Sequence, residues 1–224
     1  MIEGILIDLD NTLYAYAPAH TAAWERTMHV AEQELQLPDF DKTACAAREQ
    51  IHRQLAGTAA SHNRLLYFQR ALELAGCSSV VKAKKLYDTY WDCFLEQMQL
   101  FPGVLDFLRA NQHRKICVLT DLTAWIQYRK LIHLQITPYV HELVSSEEAG
   151  VEKPDGRMFE LALQKLKLPP EKVCMIGDSY ERDIQGALRA GIKPYWKIPA
   201  DKQPAVADPV VVFHSFEELA EKIK

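Results

Sequence analysis

Features that define several other protein classes are missing from this 224-residue sequence. No segment approaches the ~20 apolar residues needed to span a membrane, and Glu3 and Asp8 argue against a secretory signal. No block of lysines and arginines occurs, and a formal net charge of -4 gives no support to a nucleic-acid surface. We therefore expect a cytoplasmic protein that binds neither membrane nor nucleic acid.

The usual metal-binding and disulfide patterns of cysteine and histidine are also absent. The five cysteines are widely spaced and form no Cys-x-x-Cys pair, and the eight histidines form no His-x-x-x-His pair. An odd number of dispersed cysteines is typical of free thiols in a reducing compartment. The spacings match none of the common zinc motifs. We expect neither a disulfide framework nor a zinc site.

The sequence does contain a series of short apolar segments typical of buried strands. They occur at residues 4–8, 115–120, 139–146, 172–177, 193–198 and 209–213. Helical spacing is found at about 123–133, 155–167, 180–190 and 215–223. Strands that alternate with helices of this length indicate a mainly parallel sheet. The predicted fold class is therefore α/β, with a Rossmann-like parallel sheet and helices on both of its faces.

The interval between the first two strand segments has a different character. Residues 15–100 show amphipathic helical spacing and no convincing strand, with breaks at Pro38, Gly57 and Gly76. We therefore predict a separate all-helical domain at 15–100. It is inserted into an α/β core that consists of 1–14 and 101–224.

Acidic and hydroxyl side chains stand where the predicted strands end. Asp8 and Asp10 follow the first strand, Thr120 ends the second, and Asp178 with Asp183 follow the strand at 172–177. Because ligands bind beyond the carboxyl ends of parallel strands, we expect these side chains to converge on one crevice.

Such a cluster of acids requires a cation. Several carboxylates in a partly dry crevice repel one another, and without compensation some of them would become protonated. A small set of oxygen ligands suits Mg²⁺, which keeps water molecules and shares its coordination with a substrate phosphate. Lys153, in the loop before 155–167, would supply a second positive charge, and Thr120 a hydroxyl donor for a phosphoryl oxygen.

Four motifs occur in a recognisable order: D-L-D-N-T from residue 8, a strand-end Thr120, K-P-D from residue 153, and G-D-S-x-x-x-D from residue 177. Together they resemble the haloacid dehalogenase-like hydrolase superfamily over essentially the whole chain. The resemblance implies that the helical insert is a mobile cap domain. It also implies that Asp8 is a nucleophile that becomes an aspartyl phosphate, and that Asp10 is the general acid and base.

The same resemblance implies a set of magnesium ligands. They are the Asp8 carboxylate, the main-chain carbonyl of Asp10, and Asp178, with Asp183 as a supporting residue or a ligand through water. Thr120 and Lys153 would bind the phosphoryl group. Thr12 would orient the loop and Asp10.

The predicted function is therefore a magnesium-dependent phosphatase, a monomer or homodimer, that acts on a small phosphorylated metabolite such as a nucleotide or sugar phosphate. A phosphomutase of the same family is the main alternative. A haloacid dehalogenase is less favoured, because that reaction needs no leaving-group acid at the position of Asp10. A non-enzymatic phosphoacceptor domain is also less favoured, because such domains have no N-terminal D-x-D-x-T motif and no helical insert.

Three positions depart from the commonest pattern of the superfamily. Asp121 follows Thr120 where many relatives have Asn, and it adds a negative charge near the phosphate unless its side chain turns away. Gly156 stands where Pro is common, and Arg182 where Asn is frequent. None of these changes removes a predicted catalytic group, so they bear on substrate choice and efficiency more than on the reaction class.

Overall fold

Six strands form the sheet of the computed structural model. They are β1 (Gly4–Ile7), β2 (Lys115–Thr120), β3 (Glu142–Ser145), β4 (Val173–Gly177), β5 (Lys193–Lys197) and β6 (Val211–Phe213). The order in the sheet is β3-β2-β1-β4-β5-β6, and every neighbouring pair is parallel. This is the Rossmann strand order, and the predicted α/β class is confirmed.

The structure describes residues 1–202, 204, 205 and 207–223. Positions 203, 206 and 224, which belong to the predicted core range 101–224, lie outside the described residues. The chain divides into two compact units. One consists of Met1–Ala15 and Gln99–Lys224, and the other is Tyr16–Met98.

The unit Tyr16–Met98 contains four α-helices and no strand, and all of its residues are described. The helices are α1 (Tyr16–Gln33), α2 (Phe40–Gln54), α3 (Arg64–Leu74) and α4 (Val80–Glu96), with a short 3-10 helix at Ala59–His62. The first helix packs along the fourth, and the second along the third. The Asn63 and Ser79 side chains cap α3 and α4 by accepting main-chain N–H groups at 3.0 and 3.2 Å.

The other unit contains six further α-helices among its described residues. They are α5 (Val104–Ala110), α6 (Ala124–His133), α7 (Ser146–Ala149), α8 (Gly156–Leu166), α9 (Gln185–Arg189) and α10 (Phe216–Lys222). Helical structure fills most of the predicted segment at 180–190, although it does not begin as an α-helix. A π-helical turn at Tyr180–Ile184 precedes α9, and within it the Asp183 carboxylate accepts the Ser179 main-chain N–H at 3.0 Å. No helix in the described part of the chain is long and apolar enough to cross a membrane.

Both faces of the sheet are buried, as expected for a parallel sheet covered by helices. On one face the strand side chains pack against α8, in a cluster that includes Leu6, Leu119, Met175, Met158, Phe159 and Ala162. The alternate strand residues Ile7, Val118 and Ile176 point to the opposite face and are also fully buried.

The strand order fixes where a ligand can bind. Within β1, Ile7 lies opposite Val118 on one side and Ile176 on the other. The chain first builds the sheet outward through β2 and β3, and then continues on the far side of β1 with β4. The crevice at such a reversal lies beyond the carboxyl ends of the strands, where Asp8 and Asp178 follow β1 and β4.

The contact between α9 and α8 gives a packing prediction. A Cβ atom added at Gly186 would overlap the Phe159 ring. We expect Gly186→Ala to lower the free energy of unfolding by about 2 kcal/mol, because the core there is already filled. Urea denaturation measures this change. The control is Gly156→Ala, whose Cβ would have Glu160 Oε1 at 3.9 Å as its nearest neighbour. Equal losses in the two variants would contradict the packing.

Candidate active site

The loop that follows β1 turns sharply and brings its polar side chains back toward the sheet. Asn11 has a φ of 64°, a left-handed conformation that asparagine tolerates. The Leu13 N–H donates to the Leu9 carbonyl at 3.0 Å, and both of these side chains are fully buried. Lys197 of β5 donates to the Asn11 carbonyl at 2.9 Å. The loop is therefore held on both sides, and Asp8 and Asp10 are fixed within it.

Asp8 is buried and makes contacts through both carboxylate oxygens. Its Oδ1 accepts the Lys153 ammonium at 2.6 Å, and its Oδ2 accepts the Thr12 hydroxyl at 2.9 Å. Thr12 Oγ1 also lies 3.3 Å from Asp178 Oδ1. Thr12, which is itself fully buried, thus lies between two of the predicted metal ligands.

Lys153 is the cation that connects the acids. Its Nζ lies 2.6 Å from Asp8 Oδ1 and 2.7 Å from Asp183 Oδ1, and only 3% of the side chain is exposed. Burial by itself would lower the pKa of Lys153, but the nearby Asp183 and Asp8 carboxylates raise it above its usual range. Lys153 therefore remains an ammonium ion.

A glycine at the end of β4 makes room for the Asp183 carboxylate. A Cβ atom at Gly177 would overlap that side chain. The π-helical turn places Asp183 against the strand end, where it accepts the Ser179 N–H at 3.0 Å and the Lys153 ammonium. The first residue of the G-D-S-x-x-x-D motif thus provides the space that the last residue of the motif occupies.

Thr120, at the end of β2, is buried and is oriented by a residue that the sequence analysis did not single out. Gln127 Nε2 on α6 donates to Thr120 Oγ1 at 2.7 Å and to the Asp121 carbonyl at 2.6 Å. Thr120 Oγ1 accepts this hydrogen bond and donates its own proton to the Asp121 carbonyl at 3.3 Å, a long contact that a phosphoryl oxygen would have to replace.

Two of the three departures from the superfamily pattern contact each other. Asp121 Oδ1 accepts the Lys153 main-chain N–H at 2.9 Å, and Oδ2 lies 3.4 Å from Arg182 Nη1. The Asp121 side chain is therefore directed to partners of its own, and Arg182 offsets its charge. The negative charge of Asp121 and the positive charge of Arg182 therefore partly offset each other.

Asp10 has partners that were not predicted. Lys130 of α6 lies 2.6 and 2.9 Å from the two Asp10 carboxylate oxygens, and the Tyr14 hydroxyl donates to Oδ1. Gln127 and Lys130 are polar residues three positions apart on the buried face of α6, beside Ile126. Such a polar pair on an apolar helix face is the sequence signal that could have revealed them.

Three carboxylates lie close enough together to hold a metal ion. One oxygen from each of Asp8, Asp178 and Asp183 lies within 4.8 Å of the others. Burial, together with repulsion from the Asp183 carboxylate, raises the pKa of Asp178 to about 6. Burial also raises the pKa of Asp8 well above its usual range. An all-oxygen set of crowded acids fits a hard divalent cation.

The side chains line a cavity of about 290 Å³. Its walls are formed by Asp8, Asp10, Asn11, Thr120, Asp121, Lys153, Asp178, Ser179, Arg182 and Asp183. Six of the seven predicted site residues are in this set, and the seventh, Thr12, contacts Asp8 and Asp178. The predicted residues are therefore brought together, although their roles remain proposals.

The chain is similar to several known proteins. A family model described as haloacid dehalogenase-like hydrolase matches residues 2–191. A ribulose-1,5-bisphosphate 5-phosphatase of Halopiger xanaduensis is 40% identical over 213 residues, covering 92% of this chain and 88% of the relative. A glyceraldehyde 3-phosphate phosphatase of Methanopyrus kandleri is 31% identical over 203 residues, with coverages of 86% and 82%. The crystal structure of a 2-haloacid dehalogenase from Pseudomonas syringae pv. Tomato DC3000 matches with a TM-score of 0.79 and 27% identity, covering 99% of this chain and 97% of that one.

The raised pKa of Asp178 predicts how stability depends on pH without divalent cations. Between the ordinary value of 3.8 and about 6, the folded protein binds more protons than the unfolded chain, so stability falls as pH rises through this window. We expect Asp178→Asn to raise the free energy of unfolding at pH 7.5 by about 2 kcal/mol, and to have little effect at pH 4.

Urea denaturation in a chelating buffer at the two pH values measures this difference, and added Mg²⁺ should stabilise the wild type more than the variant. Asp88→Asn, at an exposed carboxylate paired with Lys84, is the matched control and should change stability by less than about 0.5 kcal/mol. A destabilised Asp178→Asn protein at pH 7.5 would contradict the raised pKa of Asp178 in the folded protein.

Proposed function

The chain belongs to the haloacid dehalogenase-like hydrolase family, and on this basis we propose that it is a magnesium-dependent phosphatase acting on a small sugar phosphate. The observation that carries the proposal is the presence of Asp8 and Asp10 at one cavity, with Lys153 2.6 Å from Asp8. Phosphoryl transfer through an aspartate requires a nucleophilic carboxylate, a second acid for proton transfer and a fixed positive charge.

Asp8 is the proposed nucleophile. One of its carboxylate oxygens attacks the phosphorus atom, and the bond between phosphorus and the ester oxygen breaks. The proton of the Asp10 carboxyl group passes to the departing oxygen, so the sugar leaves with a neutral hydroxyl and Asp10 becomes a carboxylate. The contacts of Asp8 with Lys153 and Thr12 hold its carboxylate in one orientation for this attack.

Asp10 reverses its role in the second step. Its carboxylate takes a proton from a water molecule while the water oxygen attacks phosphorus, and the bond from phosphorus to Asp8 breaks. Inorganic phosphate leaves, Asp8 is a carboxylate again, and Asp10 again carries its proton. One acid thus serves both steps.

Lys153 and Thr120 are the proposed ligands of the phosphoryl oxygens. Lys153 contributes a fixed positive charge, and Thr120 contributes a hydroxyl proton that would turn from the Asp121 carbonyl, 3.3 Å away, to a phosphoryl oxygen, while Gln127 holds Thr120 Oγ1 in place. Both side chains are buried at the cavity wall, so their dipole and charge are oriented before the substrate binds.

Asp8 and Asp178 would hold the magnesium ion together with the main-chain carbonyl of Asp10, and Asp183 would support it. The carboxylates of Asp8, Asp178 and Asp183 fit such an ion, since they form a crowded set of oxygen donors. When bound, the ion would offset the repulsion among the acids and the charge of the phosphate. Magnesium is favoured over calcium because few protein carboxylates are available and water can complete the coordination.

A sugar phosphate is the favoured substrate class. The two relatives described above are named for the hydrolysis of ribulose 1,5-bisphosphate and glyceraldehyde 3-phosphate, and each aligns with most of this chain. We therefore place the substrate among phosphorylated sugars.

Asp10 also separates this proposal from dehalogenation, the activity named for the solved neighbour. A halide leaves carbon without a proton, so that reaction has no use for an acid at this position. The oxygen of an alkyl phosphate ester leaves readily only when it is protonated. A phosphomutase would use the same acids, but it would return the phosphoryl group to a sugar and release little free phosphate.

A phosphate-release assay tests the proposal. The substrates are ribulose 1,5-bisphosphate, glyceraldehyde 3-phosphate, phosphoglycolate and a nucleoside monophosphate, each with Mg²⁺ or with chelator. We expect Mg²⁺-dependent release from the sugar phosphates, and a loss of at least about 10³-fold in kcat for Asp8→Asn, because the nucleophile is removed.

Asp106→Asn, at an exposed carboxylate paired with Arg109, is the matched control and should keep wild-type activity. Undiminished release by Asp8→Asn would contradict the assignment of the nucleophile. Conversion of a sugar phosphate to its isomer with little free phosphate would favour the mutase instead.

A further inference from the structure

A fully buried lysine lies beside the proposed general acid. We infer, on the basis of the proposed function, that Lys130 is a positioning residue that holds the Asp10 carboxyl group where it can deliver its proton to the leaving oxygen. Lys130 Nζ lies 2.6 Å from Asp10 Oδ1 and 2.9 Å from Oδ2. None of the Lys130 side chain is exposed, whereas 29% of the Asp10 side chain is.

The burial of Lys130 is difficult to explain by stability alone. Removing an ammonium group from water is costly, and the attraction to one carboxylate seldom does more than offset that cost. An apolar side chain of similar volume would fill the same space on α6, beside Ile126 and Leu131, without the cost of burying a charge. A lysine at this position is better explained by what it does to Asp10.

The contacts hold Asp10 from more than one direction. The Tyr14 hydroxyl donates to Asp10 Oδ1, the oxygen that also accepts the shorter contact from Lys130. Tyr14 is fully buried, and Lys130 Nζ lies 5.8 Å from the centre of its ring. Two donors, one on α6 and one in the loop after β1, restrict rotation of the carboxyl group, which still lines the cavity. A general acid must be held in this way to reach one particular oxygen atom.

The same helix also orients the phosphate site. Gln127 lies one turn before Lys130 on the buried face of α6 and donates to Thr120 Oγ1. One rigid helix therefore holds both the hydroxyl that would bind the phosphoryl group and the acid that would protonate the leaving oxygen. Because Gln127 and Lys130 are one turn apart, the helix fixes the spacing between the group that orients Thr120 and the group that holds Asp10.

Positioning of the acid makes a specific chemical prediction. In the step that forms the bond from Asp8 to phosphorus, the Asp10 proton moves to the ester oxygen as the bond from that oxygen to phosphorus breaks. A sugar alkoxide is a strong base and needs this proton, whereas nitrophenolate is a stable anion and leaves without it. Loss of Lys130 should therefore slow the alkyl ester far more than the aryl ester.

The experiment compares wild type and Lys130→Met on glyceraldehyde 3-phosphate and p-nitrophenyl phosphate with Mg²⁺. We expect kcat/KM to fall by about 30-fold or more for the sugar phosphate and by less than about 5-fold for the aryl phosphate, given that general acids contribute roughly 10²–10⁴-fold. The ratio of the two kcat/KM values does not depend on the fraction of folded enzyme, so partial instability of the variant does not affect it.

Lys165→Met is the matched control. Lys165 donates to the Leu143 carbonyl and to Glu148, neither of which lines the cavity, so its removal should leave the ratio of kcat/KM values unchanged. Tyr14→Phe removes one hydroxyl donor to Asp10 and should shift the ratio in the same direction as Lys130→Met, by a smaller factor. This second variant decides the question if Lys130→Met does not fold.

An unchanged ratio in Lys130→Met, or in Tyr14→Phe where Lys130→Met does not fold, would overturn the inference and leave Lys130 as a structural ion pair. That result differs from failure of the proposed function, in which the wild type would release phosphate from neither ester.

Discussion

The crowding of carboxylates at the carboxyl ends of β1 and β4 is the constraint on which the rest of the site depends. Asp8, Asp178 and Asp183 lie within 4.8 Å of one another through their oxygens, and burial makes their mutual repulsion costly. Lys153 offsets part of this charge through contacts of 2.6 and 2.7 Å with Asp8 and Asp183. The remaining excess of negative charge would suit a divalent cation.

The fold produces this crowding through strand order. Because β1 lies between β2 and β4, the acids that follow β1 and β4 and the threonine at the end of β2 meet at one crevice. Local features then set the distances. Gly177 leaves room for Asp183, Asn11 takes up the left-handed turn after β1, and α6 places Gln127 and Lys130 one turn apart. The helices contribute rigid positions, and the loops contribute the reactive groups.

Much of this arrangement could be predicted from the sequence because it follows from periodicity and from motifs at strand ends. The strands and the convergence of Asp8, Asp10 and Asp178 are of this kind. Lys130 and Gln127 were not predicted, since a lysine within a helical segment is usually solvated, and only tertiary packing shows that α6 buries this face. The contact of Asp121 with Arg182 joins residues 61 positions apart, and no local pattern links them. The π-helical turn at Tyr180–Ile184 depends on contacts of Asp183, which helical periodicity does not contain.

The central claim is that Asp8 carries the phosphoryl group during turnover. The most direct test is to mix the enzyme with Mg²⁺ and glyceraldehyde 3-phosphate, to quench in acid within one turnover, and to map the phosphorylated peptide by mass spectrometry. The account predicts a phosphoryl group on Asp8, and none in Asp8→Asn, which lacks the nucleophile. Release of phosphate with no phosphorylated enzyme at any time, or with the group on a residue other than Asp8, would contradict it.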